Sequence, residues 1–116
     1  MNDLQQRLLK FSVEISNTTD GLYKYPRLEP ILKQLNRSAS SVGANYSEAQ
    51  SAASRKDFHS KIRIALKEAR ESEYWLEFLF EKLKNANLEL LKNEAVSYVK
   101  ILTVIARKTD PDKKHL

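Results

Sequence analysis

The chain has 116 residues, 41% of them hydrophobic and 30% charged, which predicts one soluble globular domain with a single core. It lacks cysteine, which excludes disulfides and thiolate zinc sites, and it lacks both an apolar signal core and a membrane-length apolar run. We therefore expect a cytoplasmic, bacterial protein that does not enter membranes. The net charge of +5 indicates either a polyanionic partner or a device for solubility, and composition does not choose between them.

Apolar residues recur in alternating steps of four and three along four segments, the pattern of amphipathic helices. The first helix is expected to end past Asp20, with Thr18 and Tyr25 among its core positions. The second should begin near Arg27, because Pro30 fits only a first turn, and its core series runs as far as Ala53.

Polar residues mark the ends of the remaining helices. Ser54 and Asp57 resemble a capping box at the start of the third helix, and Asn87 is expected to cap the fourth. Pro111 should end the fold, which leaves residues 1–109 as one domain and 110–116, with His115, as a solvated tail. The sequence thus predicts an all-α, antiparallel up-down four-helix bundle with left-handed, coiled-coil-like packing.

The serine-rich stretch "SSVGANYSEAQSAASRK" (40–56) falls in the C-terminal half of the second helix. Small residues there allow a neighbouring helix to approach closely. We expect Ser38 and Asn45 to flank the packing seam, with Ser41 and Glu48 further outside. Asn45 should bond a backbone carbonyl or Glu48, a structural role that we favour over a catalytic one because no partnered base or nucleophile accompanies it.

Residues for catalysis are scarce. The chain has only His59 and His115, no Glu-x-x-His pair, no glycine-rich phosphate loop and no nucleophile elbow. Arg55 and His59 weakly resemble the Arg–His pair of small helical ribonucleases of the HEPN type. We keep that ribonuclease as a remote alternative and predict a protein that is not an enzyme and that uses no metal or cofactor.

Charge is distributed unevenly along the third helix. Lys56, Arg63, Lys67 and Arg70 fall within about 60° of one another at 100° per residue, forming a basic stripe. From Glu71 to Glu81 the charged residues are all acidic. The stripe could meet nucleic-acid phosphates, an acidic segment of a neighbouring subunit, or only solvent.

The segment "EYWLEFLF" (73–80) is too apolar for one packing seam. Trp75, Phe78 and Phe80 lie outside the core series, and a helix that is apolar on more than one face is either central or part of an interface. We favour a subunit interface at these three residues.

The order of motifs resembles one known family. The chain reads Tyr25-Pro26, Glu29, "QLNRSASS" (34–41), "NYSEA" (45–49), "SRKDF" (54–58) and "RIALKEARESEYWL" (63–76). This is similar to the four-helix-bundle proteins of the 23S rRNA intervening-sequence family over roughly residues 4–106. Departures are Ala49, where many relatives carry Gly, and Lys67-Glu68, where many carry Gly-Ser.

The resemblance implies bundles that assemble into barrel-shaped homopentamers, some of them encoded within insertions in 23S rRNA genes. A related group serves as accessory protein to a retroelement reverse transcriptase, with a basic barrel that binds nucleic acid and the enzyme. No catalytic residues come with the resemblance.

The function expected from the sequence is therefore non-enzymatic: a basic oligomer that binds RNA or DNA, or that scaffolds a nucleic-acid-processing partner such as a reverse transcriptase. A pure self-assembly module is the alternative. On electrostatic grounds the candidate contact residues are Arg37, Arg55, Lys56, Arg63, Lys67 and Arg70.

Overall fold

The structure is a computed structural model and describes residues 1–112. Four α-helices account for most of this range: α1 (Asp3–Asp20), α2 (Glu29–Ala49), α3 (Arg55–Leu83) and α4 (Ala86–Thr109). Two 3₁₀ turns, Gly21–Lys24 and Pro26–Leu28, join α1 to α2. The described residues contain no strand, and the predicted all-α four-helix bundle is confirmed. Residues 113–116 of the predicted tail, including His115, lie outside the described residues.

Contacts between the helices show that neighbours run antiparallel. Residues late in α2 meet residues early in α3, as in the Glu48–Lys61 ion pair of 3.2 Å. Residues late in α3 meet residues early in α4, as in the Glu77–Lys92 pair of 3.1 Å. The α1 helix closes the bundle by packing Phe11 edge-on against Tyr98 of α4, with ring centroids 5.1 Å apart. No helix in residues 1–112 has the length and apolar character needed to cross a membrane.

The core follows the predicted series with one shift in α1. Thr19 is buried and donates to the Ile15 carbonyl at 2.8 Å, whereas Thr18 is only half-buried. The prediction for Thr18 was wrong because a strict four-three series averages 3.5 residues per turn, whereas a straight α-helix has 3.6. Over several turns this difference moves the buried position from Thr18 to Thr19. Tyr25, in the connection after α1, is 45% exposed and does not join the core.

The helix boundaries differ from the expected ones at three places. The α-helical part of α2 begins at Glu29, after a 3₁₀ turn, with Pro30 in its first turn as expected. It ends at Ala49, so Ala53 is exposed in the following loop and not on the seam. The α4 helix is capped by Asn85, whose side chain accepts from the amide of Leu88 at 3.3 Å, and the prediction of Asn87 was therefore wrong.

The cap of α3 is a capping box with one altered contact. The Ser54 hydroxyl accepts from the Asp57 amide at 3.0 Å, as expected. The Asp57 carboxylate accepts from the amide of Ala53 at 3.3 Å and not from that of Ser54. An aspartate at this position still satisfies a backbone amide at the entry to the helix, and its charge suits the helix N-terminus.

The serine-rich part of α2 is a close-packing surface. Ser38 is completely buried against α3, where its hydroxyl lies 2.9 Å from that of Ser72. At Gly43, a Cβ atom would come within 3.3 Å of the Leu8 Cβ of α1. Small residues on α2 thus bring two neighbouring helices close, and burial of the apolar core compensates for the weak helix propensity of Ser and Gly.

Two polar residues of the same stretch differ in their roles. Asn45 is half-buried and donates to the carbonyl of Ser41 and to the Ser41 hydroxyl, both at 2.9 Å. The carbonyl is one of the two partners expected for Asn45. The other, Glu48, is exposed and pairs with Lys61 of α3. The hydrogen bonds give Asn45 and Ser41 a structural role within α2, and the ion pair gives Glu48 one between α2 and α3.

Candidate nucleic-acid interface

A groove with a volume of about 920 Å³ runs between the first half of α3 and the end of α4. We call it the basic groove. Its lining includes the four cations of the predicted stripe and one from α4: Lys56, Arg63, Lys67, Arg70 and Arg107. All five side chains are exposed. The stripe forms because the apolar positions of α3 turn the opposite side of the helix, where these cations stand, towards solvent.

None of these five cations forms an ion pair with a carboxylate among residues 1–112. The groove is also lined by the aliphatic side chains of Ile64, Leu66 and Ala106, and Asp110 and Asp112 stand at its α4 end. Five cations against two aspartates leave an excess of positive charge along the groove, and the resulting potential attracts polyanions.

Four carboxylates of α3, in contrast, are paired within the chain. Glu77 pairs with Lys92, and Glu81 pairs with Lys84 at 2.9 Å. The hydrogen bond from Lys84 lowers the pKa of the Glu81 carboxyl, and the hydrogen bond to Glu77 raises the pKa of the Lys92 ammonium. The acidic half of α3 is thus partly neutralised by its own chain, while the basic half is not.

Arg37 lies outside the basic groove and is already engaged. Its Nη1 is 3.2 Å from the Glu68 carboxylate, and its Nη2 bonds the Glu71 carboxylate, so one guanidinium joins α2 to two turns of α3. Arginine suits this position because its planar fork presents two donors at once. The structure therefore places this candidate in an interhelical ion-pair network.

Arg55 and His59 both contact the end of α4. Arg55 donates to the carbonyl of Lys108 at 2.7 Å. The Thr109 hydroxyl donates to the Ile105 carbonyl at 2.7 Å, so its oxygen accepts from His59 Nδ1–H at 3.3 Å. These contacts fix the C-terminus of α4 to the start of α3. They give both side chains a structural explanation that needs no ribonuclease chemistry.

The aromatic residues of "EYWLEFLF" occupy two different sites. Trp75 is half-buried and meets the rings of Tyr74 and Phe78 edge-on, with centroids 5.0 and 6.2 Å away. Tyr74 is 63% exposed and Phe78 is 38% exposed. Trp75 and Phe80 both pack against the core, and the Lys84 ammonium lies 5.0 Å from the Phe80 ring centroid.

One titratable pair, Tyr98 and Glu94, lies away from the basic groove, where α4 meets α1. Burial raises the pKa of Tyr98 to about 12, and its hydroxyl donates to the Arg7 carbonyl at 3.3 Å. Burial and the nearby charge of Glu14 raise the pKa of the Glu94 carboxyl. The Oε2 atom of Glu94 is inaccessible to solvent and has no hydrogen-bond partner in the described part of the chain.

Sequence reasoning missed Arg107 of the basic groove and the exposed Tyr74 one turn beyond Arg70. Arg107 joins the groove only because α4 packs beside α3, and no short-range pattern connects it with the stripe. Tyr74 stands four residues after Arg70, and the helical spacing that identified the stripe could have identified it too.

Within residues 1–112, no group of His, Asp and Glu side chains is arranged to hold a metal ion.

Comparisons with known proteins agree with the fold. The family model described as 23S rRNA-intervening sequence protein matches residues 2–104. A similar solved structure, from Bacteroides thetaiotaomicron, is described as a protein of unknown function from the S23 ribosomal protein family. It is 38% identical, with a TM-score of 0.81, and the match covers 89% of this chain and 97% of that one. A search of curated proteins finds no match. The chain belongs to the 23S rRNA-intervening sequence protein family.

Proposed function

We propose that this protein binds nucleic acid through the basic groove and does so without catalysing a reaction. The observation that carries the proposal is the separation of charge on α3. Its glutamates at 68, 71, 77 and 81 pair within the chain, while the groove cations make no ion pair with any described carboxylate. Cations that neutralise phosphates release condensed counterions, which drives binding without any base-specific contact.

The family supports the same direction by its description, which refers to insertions in 23S rRNA. The cytoplasm, the location expected from the sequence, is where RNA would be available to this surface. A basic groove could also hold the nucleic acid of a partner enzyme such as a reverse transcriptase. In that case the protein would act as a scaffold, and the groove would keep the same role.

The test is fluorescence anisotropy of labelled RNA and DNA oligonucleotides at low salt. The variant Arg63→Gln/Lys67→Gln/Arg70→Gln removes three charges from the groove. Its control, Lys10→Gln/Lys33→Gln/Lys100→Gln, removes three exposed charges from the other three helices. We expect the groove variant to lose at least tenfold in affinity and the control to lose much less. Equal losses would mean that only net charge matters, and an unchanged groove variant would refute the proposal.

Self-association is a second part of the proposal, and Trp75 and Phe78 support it. Phe78 is 38% exposed, and its ring meets that of the half-buried Trp75 edge-on. Exposed apolar patches of this kind are typical of interfaces. We propose a homopentamer, the assembly that the family resemblance implies, which predicts a solution mass near five times 13.4 kDa. A monomer in light scattering would refute it.

The alternative is a self-assembly module in which the basic half of α3 meets the acidic half on a neighbouring subunit. The intrachain pairs of Glu77 and Glu81 weigh against it, because those carboxylates already have partners. The alternative predicts that raising salt dissociates the oligomer and that nucleic acid does not bind at about 0.15 M salt. An oligomer held by Trp75 and Phe78 should instead keep its mass as salt rises.

A further inference from the structure

Tyr74 extends the basic stripe by one turn. At 100° per residue it falls within the same arc of about 60° that contains Arg63, Lys67 and Arg70. Its side chain is 63% exposed, far more than a core aromatic, and its ring is held edge-on against the half-buried Trp75. An aromatic ring that is supported on one side and open on the other is suited to stack with a flat ligand.

The basic groove itself offers no such ring. Its lining residues are cations, hydroxyl-bearing residues, short apolar residues, His59, Pro111 and two aspartates, with no Phe, Tyr or Trp among them. His59 is half-buried and bonded to Thr109. The groove can therefore contact the sugar–phosphate backbone but cannot stack bases along its length, and stacking becomes available only where the row of cations ends.

We infer that the groove takes single-stranded nucleic acid, with the phosphates along Lys56 to Arg70 and a base stacked on Tyr74. A single strand exposes its bases and gains from such a platform, whereas a duplex keeps its bases paired inside. Between Arg70 and Lys82, α3 carries no further cation, so the strand ends or turns away at Tyr74. This inference rests on the proposed function and adds a substrate class and a specificity residue to it.

The length of the cation row sets the footprint. From Lys56 to Arg70 the helix rises about 21 Å at 1.5 Å per residue. A stacked strand places one phosphate about every 3.4 Å, so the row matches about six phosphates. Affinity for one protomer should therefore rise with oligonucleotide length up to about six nucleotides and then level off.

The experiment compares three labelled probes that carry equal numbers of phosphates: oligo(dT), a strand of abasic deoxyribose phosphates, and a self-complementary duplex. We expect oligo(dT) to bind roughly 5- to 150-fold more tightly than the abasic strand, the range that one base–aromatic stack supplies. Tyr74→Ala should abolish this preference, and Tyr74→Phe should retain it. Tyr23→Ala is the matched control, because Tyr23 is exposed and lies in the connection between α1 and α2.

The outcomes separate this inference from the proposed function. If the abasic strand or the duplex binds as tightly as oligo(dT), or if Tyr74→Ala keeps the preference, stacking on Tyr74 is refuted while salt-dependent binding by the groove still stands. If none of the probes binds at low salt, the proposed function itself fails. Circular dichroism of Tyr74→Ala should match that of the wild type, because the substituted side chain is exposed.

Discussion

The hydroxyl groups of Ser38 on α2 and Ser72 on α3 lie 2.9 Å apart, and both side chains are completely buried. Each also faces a carbonyl of its own helix, that of Leu35 at 3.1 Å for Ser38 and that of Glu68 at 2.9 Å for Ser72. One hydroxyl can donate to the other while its partner donates to its own helix, so neither is left unsatisfied. Two serines thus allow α2 and α3 to pack closely without stranding a polar group in the core.

This contact predicts different costs for two substitutions of Ser38. Ser38→Ala should lower the free energy of unfolding by only about 0.5 to 1.5 kcal/mol, because Ser72 keeps the Glu68 carbonyl as its acceptor. Ser38→Leu should cost about 1 to 3 kcal/mol or more, because the added carbons must displace α3. Urea denaturation followed by circular dichroism measures both. Equal stabilities for the two variants would contradict the close approach.

Arg37 should contribute to stability and not to binding. Removing its bridge to Glu68 and Glu71 in Arg37→Ala should lower the free energy of unfolding by about 0.5 to 1 kcal/mol, the upper part of the range for exposed ion pairs. Arg37→Lys should recover little, because one ammonium cannot occupy both positions of the fork. Oligonucleotide affinity should change less than twofold in either variant. A loss comparable to that of the groove variant would return Arg37 to the binding surface.

The cap of α4 provides a direct comparison between two neighbouring asparagines. Asn85 accepts from the amides of Asn87 and Leu88, so Asn85→Ala should cost about 1 kcal/mol of stability. Asn87→Ala should cost almost nothing, because its side chain caps nothing in the structure. Thermal denaturation of the two variants decides between them. A larger cost for Asn87→Ala would show that the helix begins later than Ala86.

Glu94 predicts a pH-dependent gain in stability. Its folded-state pKa is raised by burial, so the charged carboxylate is disfavoured in the fold and weakens it above that pKa. Glu94→Gln should therefore stabilise the protein at pH 7, by less than about 1 kcal/mol because the group is partly screened by solvent. The gain should vanish as pH falls below the unfolded-state value near 4.5, where Glu94 is protonated in both states. Urea denaturation midpoints of both proteins, measured between pH 4 and pH 8, test this prediction. A lower midpoint for Glu94→Gln than for the wild type at pH 7 would contradict it.

The bundle was predictable because buried positions recur every three or four residues along a helix and are filled by apolar or small residues. In α3 the buried residues of this series include Ile62, Ala65, Ala69 and Ser72. It failed at the cap of α4, because Asn85 and Asn87 are chemically alike and only the extended backbone of Asn85 distinguishes the cap. Side-chain type and local spacing therefore locate a helix well, but they do not fix the residues at which it begins and ends.

The candidate site was predictable only in part. The stripe on α3 follows from spacing within one helix, and four of its cations do line one groove. The ion pairs of Arg37 with two glutamates depend on how α2 packs beside α3. The position of Arg107 in the basic groove depends on how α4 packs beside α3. Contacts between helices are set by packing geometry, which the sequence of one helix does not contain.

If the five cations of the basic groove neutralise nucleic-acid phosphates, the affinity must fall steeply as salt concentration rises. The logarithm of the association constant for a single strand, plotted against the logarithm of salt concentration, should fall with a slope of about −3.5, or about 0.7 per cation. In the Arg63→Gln/Lys67→Gln/Arg70→Gln variant the slope should shrink to about −1.4, from the two cations that remain. A wild-type slope near zero, or a slope that the variant leaves unchanged, would show that these cations do not neutralise phosphates.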